Sequence, residues 1–163
     1  MKRVLIALGG NVAEPHQTLP LAWHAVVDRL GLTQSVCSEL VTSAPAEGAS
    51  GGDFANAVGL GYTSLGPREV LDALHRVEDQ FGRDREREGH HGARPLDLDL
   101  LEYGSMISTD LTLTLPHPRI QDRWFVLAPL LSIVPDWSHL LSGRSGQELL
   151  AAVDIEQRAE QDL

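Results

Sequence analysis

The spacing of apolar residues changes period several times along the chain, and each change marks an element. Residues 4–8 form an unbroken apolar run that stops at Gly9 and Gly10. Such a run predicts a strand covered on both faces. Over residues 17–30, Leu19, Leu21, Ala22, Val26, Val27 and Leu30 recur at helical spacing, and Gly31 follows as a terminator. Residues 33–42 mix Val36, Leu40 and Val41 with polar positions and predict a strand, while the glycine content of 44–53 predicts a loop. Strand character returns over 54–62. Pro67 then suits the first turn of a helix whose stripe is Val70, Leu71, Leu74, Val77 and Phe81, with Gly82 as its cap. Residues 84–95 carry charge and glycine without an apolar period and predict a surface loop. Over 96–103, Leu96, Leu98 and Leu100 alternate with Asp97 and Asp99, so the acids share one face of a strand. A hairpin region at 106–115, a helical stretch at 123–131 and a short amphipathic end at 147–153 complete the pattern.

Strand, helix, strand, strand, helix, strand is the order of an α+β, ferredoxin-like βαββαβ fold. It predicts an antiparallel sheet with both helices on one face, followed by a C-terminal extension. At 163 residues the chain fits one domain, 1–163, and shows no internal repeat or linker. The greasiest stretch, 124–137, is interrupted by Pro129, Pro135 and Asp136, well short of the ~20 apolar residues of a membrane helix. The apolar run after Lys2 and Arg3 is too short for the ~7–15-residue core of a signal peptide. A single cysteine, Cys37, excludes an internal disulfide framework and a cysteine-cluster zinc site. A cytoplasmic monomer is the expectation.

Charge narrows the chemistry. With 13 basic and 23 acidic residues the formal charge is −10, which disfavours nucleic acid as a partner. Lys2 is the single lysine against twelve arginines, and Arg76, Arg83, Arg85, Arg87 and Arg94 fall within nineteen residues. Arginine forks suit phosphate or carboxylate. Interleaved acids (Glu78, Asp79, Asp84, Glu86, Glu88) make a solvated charge run the simpler reading of composition alone. A P-loop is excluded because no lysine follows a glycine-rich turn. The segment 48–52 matches Gly-x-Ser-x-Gly, but it lies in a loop before a strand, whereas the nucleophile elbow needs a strand before it and a helix after it.

What remains is Arg94-Pro95-Leu96-Asp97-Leu98-Asp99. Carboxylates at i and i+2 on a strand lie ~7 Å apart on one face. They repel one another unless cations bridge them, and oxygen donors suit Mg²⁺. The alternative is a solvent-facing pair that guards an edge strand. An arginine-dense loop just upstream adds the partners that phosphate groups require.

The segment His90-His91-Gly92-Ala93-Arg94-Pro95-Leu96-Asp97-Leu98-Asp99-Leu100-Leu101 resembles the signature of the 6-hydroxymethyl-7,8-dihydropterin pyrophosphokinases of folate biosynthesis. The resemblance extends in order from Ala7-Leu8-Gly9-Gly10-Asn11 through Asp53-Phe54-Ala55-Asn56-Ala57-Val58 and Val77-Glu78 to Gly82-Arg83. It reaches Leu115-Pro116-His117 and Arg123-Trp124-Phe125. It implies the same ferredoxin-like fold, and transfer of the terminal diphosphate of ATP to the hydroxymethyl oxygen of a dihydropterin with release of AMP. By that resemblance Asp97 and Asp99 hold two Mg²⁺ ions, and Arg83 and Arg94 act on the phosphates. Glu78, Leu100, Thr114, His117 and Arg123 belong to the nucleotide site. Ser43, Ala46, Phe54, Asn56, Phe125 and Asp97 serve the pterin, with the phenylalanines stacking on its ring. The chain departs from the family pattern at Gly10, Ala44, Phe54, His91 and Thr112, and by one extra residue between Arg83 and Arg94. These departures touch the closing loop and the adenine pocket and leave the metal and phosphate set whole.

Overall fold

A computed structural model describes residues 1–11, 14–44, 53–82 and 96–161, with side chains described as far as 153. The elements are β1 (Lys2–Gly10), α1 (Pro15–Leu30), β2 (Thr33–Cys37), β3 (Val41–Ser43), β4 (Phe54–Thr63), α2 (Pro67–Gln80) and β5 (Asp97–Tyr103). They are followed by β6 (Ser108–Asp110), β7 (Leu113–Leu115), a 3-10 turn (Ile120–Asp122), α3 (Trp124–Ile133) and α4 (Gly146–Gln161). The main sheet runs β2-β4-β1-β5, antiparallel throughout, with β3 also pairing with β4. This is the expected ferredoxin-like arrangement, with β5 on an edge.

The apolar run in β1 is explained by burial on both sides. Val4, Ile6 and Leu8 join Leu98 and Leu100 beneath α1 and α2, packing on Leu19, Val26, Val70, Leu74 and Val77. Leu5, with Val58 and Leu101, turns the other way and meets Val126, Leu127, Leu130 and Trp137. The C-terminal extension therefore forms a second layer. The two helices of the βαββαβ unit cover one face of the sheet, and α3 and α4 cover the other. The last helix is longer than the amphipathic end read from sequence, and the expected hairpin forms as β6 paired with β7.

One expected strand divides. Between β2 and β3, Ser38 turns its hydroxyl to accept the Val58 N–H at 2.9 Å, while its own N–H donates to the Val58 carbonyl at 2.9 Å. A side-chain oxygen replaces a backbone carbonyl in the ladder, which interrupts the strand without unpairing β4. Helix α1 ends as predicted: Gly31 is left-handed at φ 60°, and Leu32 N–H returns to Val27 O at 3.0 Å. In β4, a Cβ on Gly59 would lie 2.2 Å from the ring of Trp23, so the glycine is what lets that indole lie against the strand. Among the described residues no helix is long and apolar enough to cross a membrane.

Candidate active site

The register of the sheet gathers the predicted polar residues. Gly9 pairs with Asn56 on one side and Asp97 on the other; Ala7 likewise pairs with Val58 and Asp99. Paired residues in an antiparallel sheet share a face. Asn56, Asp97 and Asp99 therefore project on the face that carries Val58 and Leu101, toward the α3 layer, while Leu98 and Leu100 point into the opposite core. Asn56 and Asp97 stand two strand spacings apart, about 10 Å, and Gly9 between them has no side chain to fill the gap. A Cβ there would come within 3.3 Å of Asn56 Oδ1.

Asn56 is buried, and its amide nitrogen donates to Ser43 Oγ at 2.9 Å. Phe54, two residues away on the same strand face, is half-buried and pairs with Ser43. The predicted residues Ser43, Phe54 and Asn56 are thus contiguous. Ala46 lies outside the described residues.

Asp97 and Asp99 are half-buried at the start of β5. Between them, the Leu98 N–H donates to Glu78 Oε2 at 2.8 Å. Glu78 is 1% exposed on α2, so it does not belong to a solvated charge run. The carboxylate is thus fixed to the backbone between the two aspartates, and Glu78 lines the same cleft. The composition of the helix gave no sign of this, because the partner N–H comes from a strand twenty residues later.

Further along β5, register with β1 shifts between Leu5 and Ile6, which leaves Leu101 as an extra residue beside Glu102. The His117 N–H takes the Leu101 carbonyl at 2.8 Å, and this anchor brings His117 Nε2 to 3.8 Å from Asp99 Oδ1. His117 Nδ1 accepts the Arg119 N–H at 3.1 Å, which leaves the proton of the neutral ring on Nε2. Burial and the nearby Arg123 charge hold the imidazole below its ordinary pKa, against an opposing pull from Asp97. His117 is accordingly a neutral donor. Arg123, just before α3, lies 5.9 Å over the ring of Phe125, and Phe125 meets Trp124 edge-on with centroids 6.1 Å apart. Burial and Arg119 lower the Arg123 pKa, while Asp99 and Asp97 oppose the shift. Both aspartates therefore act on one guanidinium.

A cleft of about 470 Å³ runs along the β5 side of the sheet. One end carries Asp97, Asp99, His117 and Arg123; α2 lines a wall with Leu71, His75 and Glu78; the β6–β7 hairpin supplies Leu111 to Leu115. Leu100 and Thr114 line it as well, so the residues assigned to the nucleotide come together. Leu71, on the predicted apolar stripe, packs against the core and also lines the cleft. His75 was not singled out, although it falls on the helical stripe Leu71–His75–Glu78. Arg83 and Arg94 lie outside the described residues.

A family profile described as 7,8-dihydro-6-hydroxymethylpterin-pyrophosphokinase (HPPK) matches residues 5–135. The chain is 40% identical over 157 residues to the 2-amino-4-hydroxy-6-hydroxymethyldihydropteridine pyrophosphokinase of Pseudomonas aeruginosa, covering 96% of this chain and 94% of that one. It is 37% identical over 150 residues to the Synechocystis protein of the same name, covering 92% and 75% respectively. In structure it resembles a Plasmodium falciparum HPPK-DHPS chain at TM-score 0.74 and 12% identity, covering 99% of this chain and 46% of that longer one. At that identity the structural likeness bears on the fold alone.

Proposed function

Because this chain belongs to the 7,8-dihydro-6-hydroxymethylpterin-pyrophosphokinase family, an ATP-dependent enzyme family of folate biosynthesis, we propose that its β5-edge cleft is where the reaction takes place. The polar end of the cleft takes the triphosphate, and the row Ser43–Asn56–Gly9–Asp97 takes the pterin. The hydroxymethyl oxygen forms a bond to the β-phosphorus of ATP. The bond from that phosphorus to the α,β-bridging oxygen breaks, its electron pair leaves with AMP, and the hydroxyl proton passes to solvent.

One observation carries this reading. Register places an amide and a carboxylate on either side of a bare glycine, with a second carboxylate, a neutral imidazole and an arginine beyond them. A flat heterocycle with amide-like edges suits the first part, and a charged phosphate chain suits the second. Asn56 Oδ1, above Gly9, is set to accept from a ring N–H, since its amide nitrogen is already given to Ser43. Phe125, held by Trp124 and Arg123, and Phe54 offer apolar surface for the ring.

The donor set also suits a metal. Two half-buried carboxylates on one face provide hard oxygen ligands, and Mg²⁺ characteristically takes one or two of these and completes its shell with water and phosphate oxygens. Asp97 and Asp99 would hold the two ions. An ion bound there would neutralise phosphate charge and polarise the phosphorus under attack. Glu78 keeps the two aspartates in register through Leu98. His117 donates through Nε2, and Arg123 supplies positive charge at the same end. Arg83 and Arg94 are proposed to clamp the phosphates as charge builds, since preorganised donors act most strongly on developing charge.

The test is AMP release measured with and without 6-hydroxymethyl-7,8-dihydropterin at several Mg²⁺ concentrations. AMP that forms only with pterin present and rises with Mg²⁺ is expected. Nucleotide hydrolysis indifferent to pterin would instead make the same acids a phosphoesterase site, with water as the nucleophile.

A further inference from the structure

The far end of the cleft is joined by a contact outside the machinery described so far. Arg68, at the start of α2, sends Nη2 to Asp110 Oδ2 at 2.6 Å and Nη1 to Thr112 Oγ1 at 2.9 Å. Asp110 is the hub of the β6–β7 turn. Its Oδ1 accepts the Thr112 N–H at 2.9 Å and the Thr112 hydroxyl at 2.8 Å, and its carbonyl accepts the Thr114 hydroxyl at 3.0 Å. The backbone and hydroxyl bonds from Thr112, reinforced by Arg68, hold its carboxyl below the usual range, so the charge opposite Arg68 is permanent at working pH. The guanidinium fork spans 42 and 44 residues of sequence to tie a helix to a hairpin.

Those two elements are the walls of the cleft. Leu71 and His75 of α2 face Leu111, Thr112 and Leu113 of the hairpin, and Leu111 is 97% exposed. Arg68 does not line the cleft; it sits one turn of α2 before Leu71. Ten residues of helix separate Arg68 from Glu78, about 15 Å at helical rise. The tie is thus at the apolar end, remote from Asp97 and Asp99. We infer that Arg68 is a positioning residue that sets the spacing between α2 and the β6–β7 hairpin, so that Leu71 and the exposed Leu111 can enclose the flat base of the nucleotide. This rests on the reading of the cleft as the triphosphate site. Without the fork, the hairpin keeps its own turn bonds and the core packing of Leu113 and Leu115, but its tip, which carries Leu111, loses its tie to the helix. The base end then loosens while the phosphate end is untouched.

Calorimetry with two Mg²⁺-loaded ligands separates the ends: a non-hydrolysable ATP analogue, which has a base, and inorganic tripolyphosphate, which has none. An exposed ion pair contributes little, so the expected effect on affinity is only a few-fold. Arg68→Ala should weaken the ATP analogue roughly 3–5-fold and leave tripolyphosphate unchanged, with kcat at saturating ATP within about twofold of the parent. Arg68→Lys, which keeps the charge but not the fork, should fall between. Equal weakening of both ligands, or of neither, would overturn the role of Arg68. Arg123→Ala is the control for the other end and should weaken both ligands. If it weakens neither, the triphosphate reading fails and the inference with it. If it weakens both while Arg68→Ala changes nothing, only the inference fails.

Discussion

The two faces of the sheet use the same strands for different ends. Beneath α1 and α2, the inward residues Val4, Ile6, Leu8, Leu98 and Leu100 of β1 and β5 are all apolar. On the α3 side the sequence is apolar only along half its length. Leu5, Val58 and Leu101 pack under α3 and α4, and then Asn56, Asp97 and Asp99 take over beside Gly9. Alternate residues of one strand therefore hold the fold together and line the proposed site. Because side chains in a strand point to opposite faces, substitutions one residue apart should have unlike consequences.

The largest expected effect is on the open face. Asp97→Ala should lower kcat/KM by at least ~10³-fold, the scale of losing preorganised charge stabilisation in a metal-assisted site, with little change in thermal stability, since the like-charge repulsion it relieves offsets the attraction to Arg123 that it removes. Near-normal AMP formation would remove Asp97 from the metal role. Arg94→Ala comes next, with kcat reduced ~10²–10³-fold; an effect confined to KM would mean uniform binding instead. On the closed face, Leu74→Ala should cost 2–5 kcal/mol by urea unfolding, with kcat preserved wherever the protein stays folded. A core variant that lost kcat while folded would dissolve the distinction between the faces.

The smallest effect concerns pH. Glu102 is 5% exposed beside the register shift in β5, accepts Trp137 Nε1 at 3.0 Å and has Arg3 at 3.7 Å. Burial raises its pKa, and the Trp137 bond and Arg3 only partly offset this. A raised carboxyl stabilises the fold below its unfolded value of 4.5, and that contribution is lost as pH rises through the folded value. Glu102→Gln keeps an acceptor for Trp137 and should match or exceed the parent's stability at pH 7, the difference closing toward pH 4.5. A clear loss at pH 7 would mean that the Arg3 pairing outweighs desolvation. His117 and His139 act in the opposite sense: both are lowered by burial, so their contributions are complete above 6.5 and fade as pH falls.

Periodicity was enough for the βαββαβ core, because two-sided burial of β1 and the stripe on α2 leave direct traces in residue spacing. The acidic pair was equally legible, since i and i+2 on a strand fix a shared face. Contacts between distant segments left no trace. Glu78 sits in a charge-rich stretch, and its burial and its bond to the Leu98 N–H come from the tertiary fold. Arg68 and Asp110 are too far apart in sequence to be paired by pattern. Ser38 breaks a strand that its neighbours' composition would continue. Leu71 and Leu74 look alike on a helical wheel, but Leu74 is fully buried while Leu71 packs at the core's margin and lines the cleft. The roles of Arg83 and Arg94 rest on resemblance to the family.

The most direct test is a crystal structure with Mg²⁺ and a non-hydrolysable ATP analogue. Oxygens of both Asp97 and Asp99 should lie about 2.0–2.1 Å from bound metal, with the phosphates beside His117 and Arg123. Metal and nucleotide seated elsewhere, with the two carboxylates turned apart, would contradict the account.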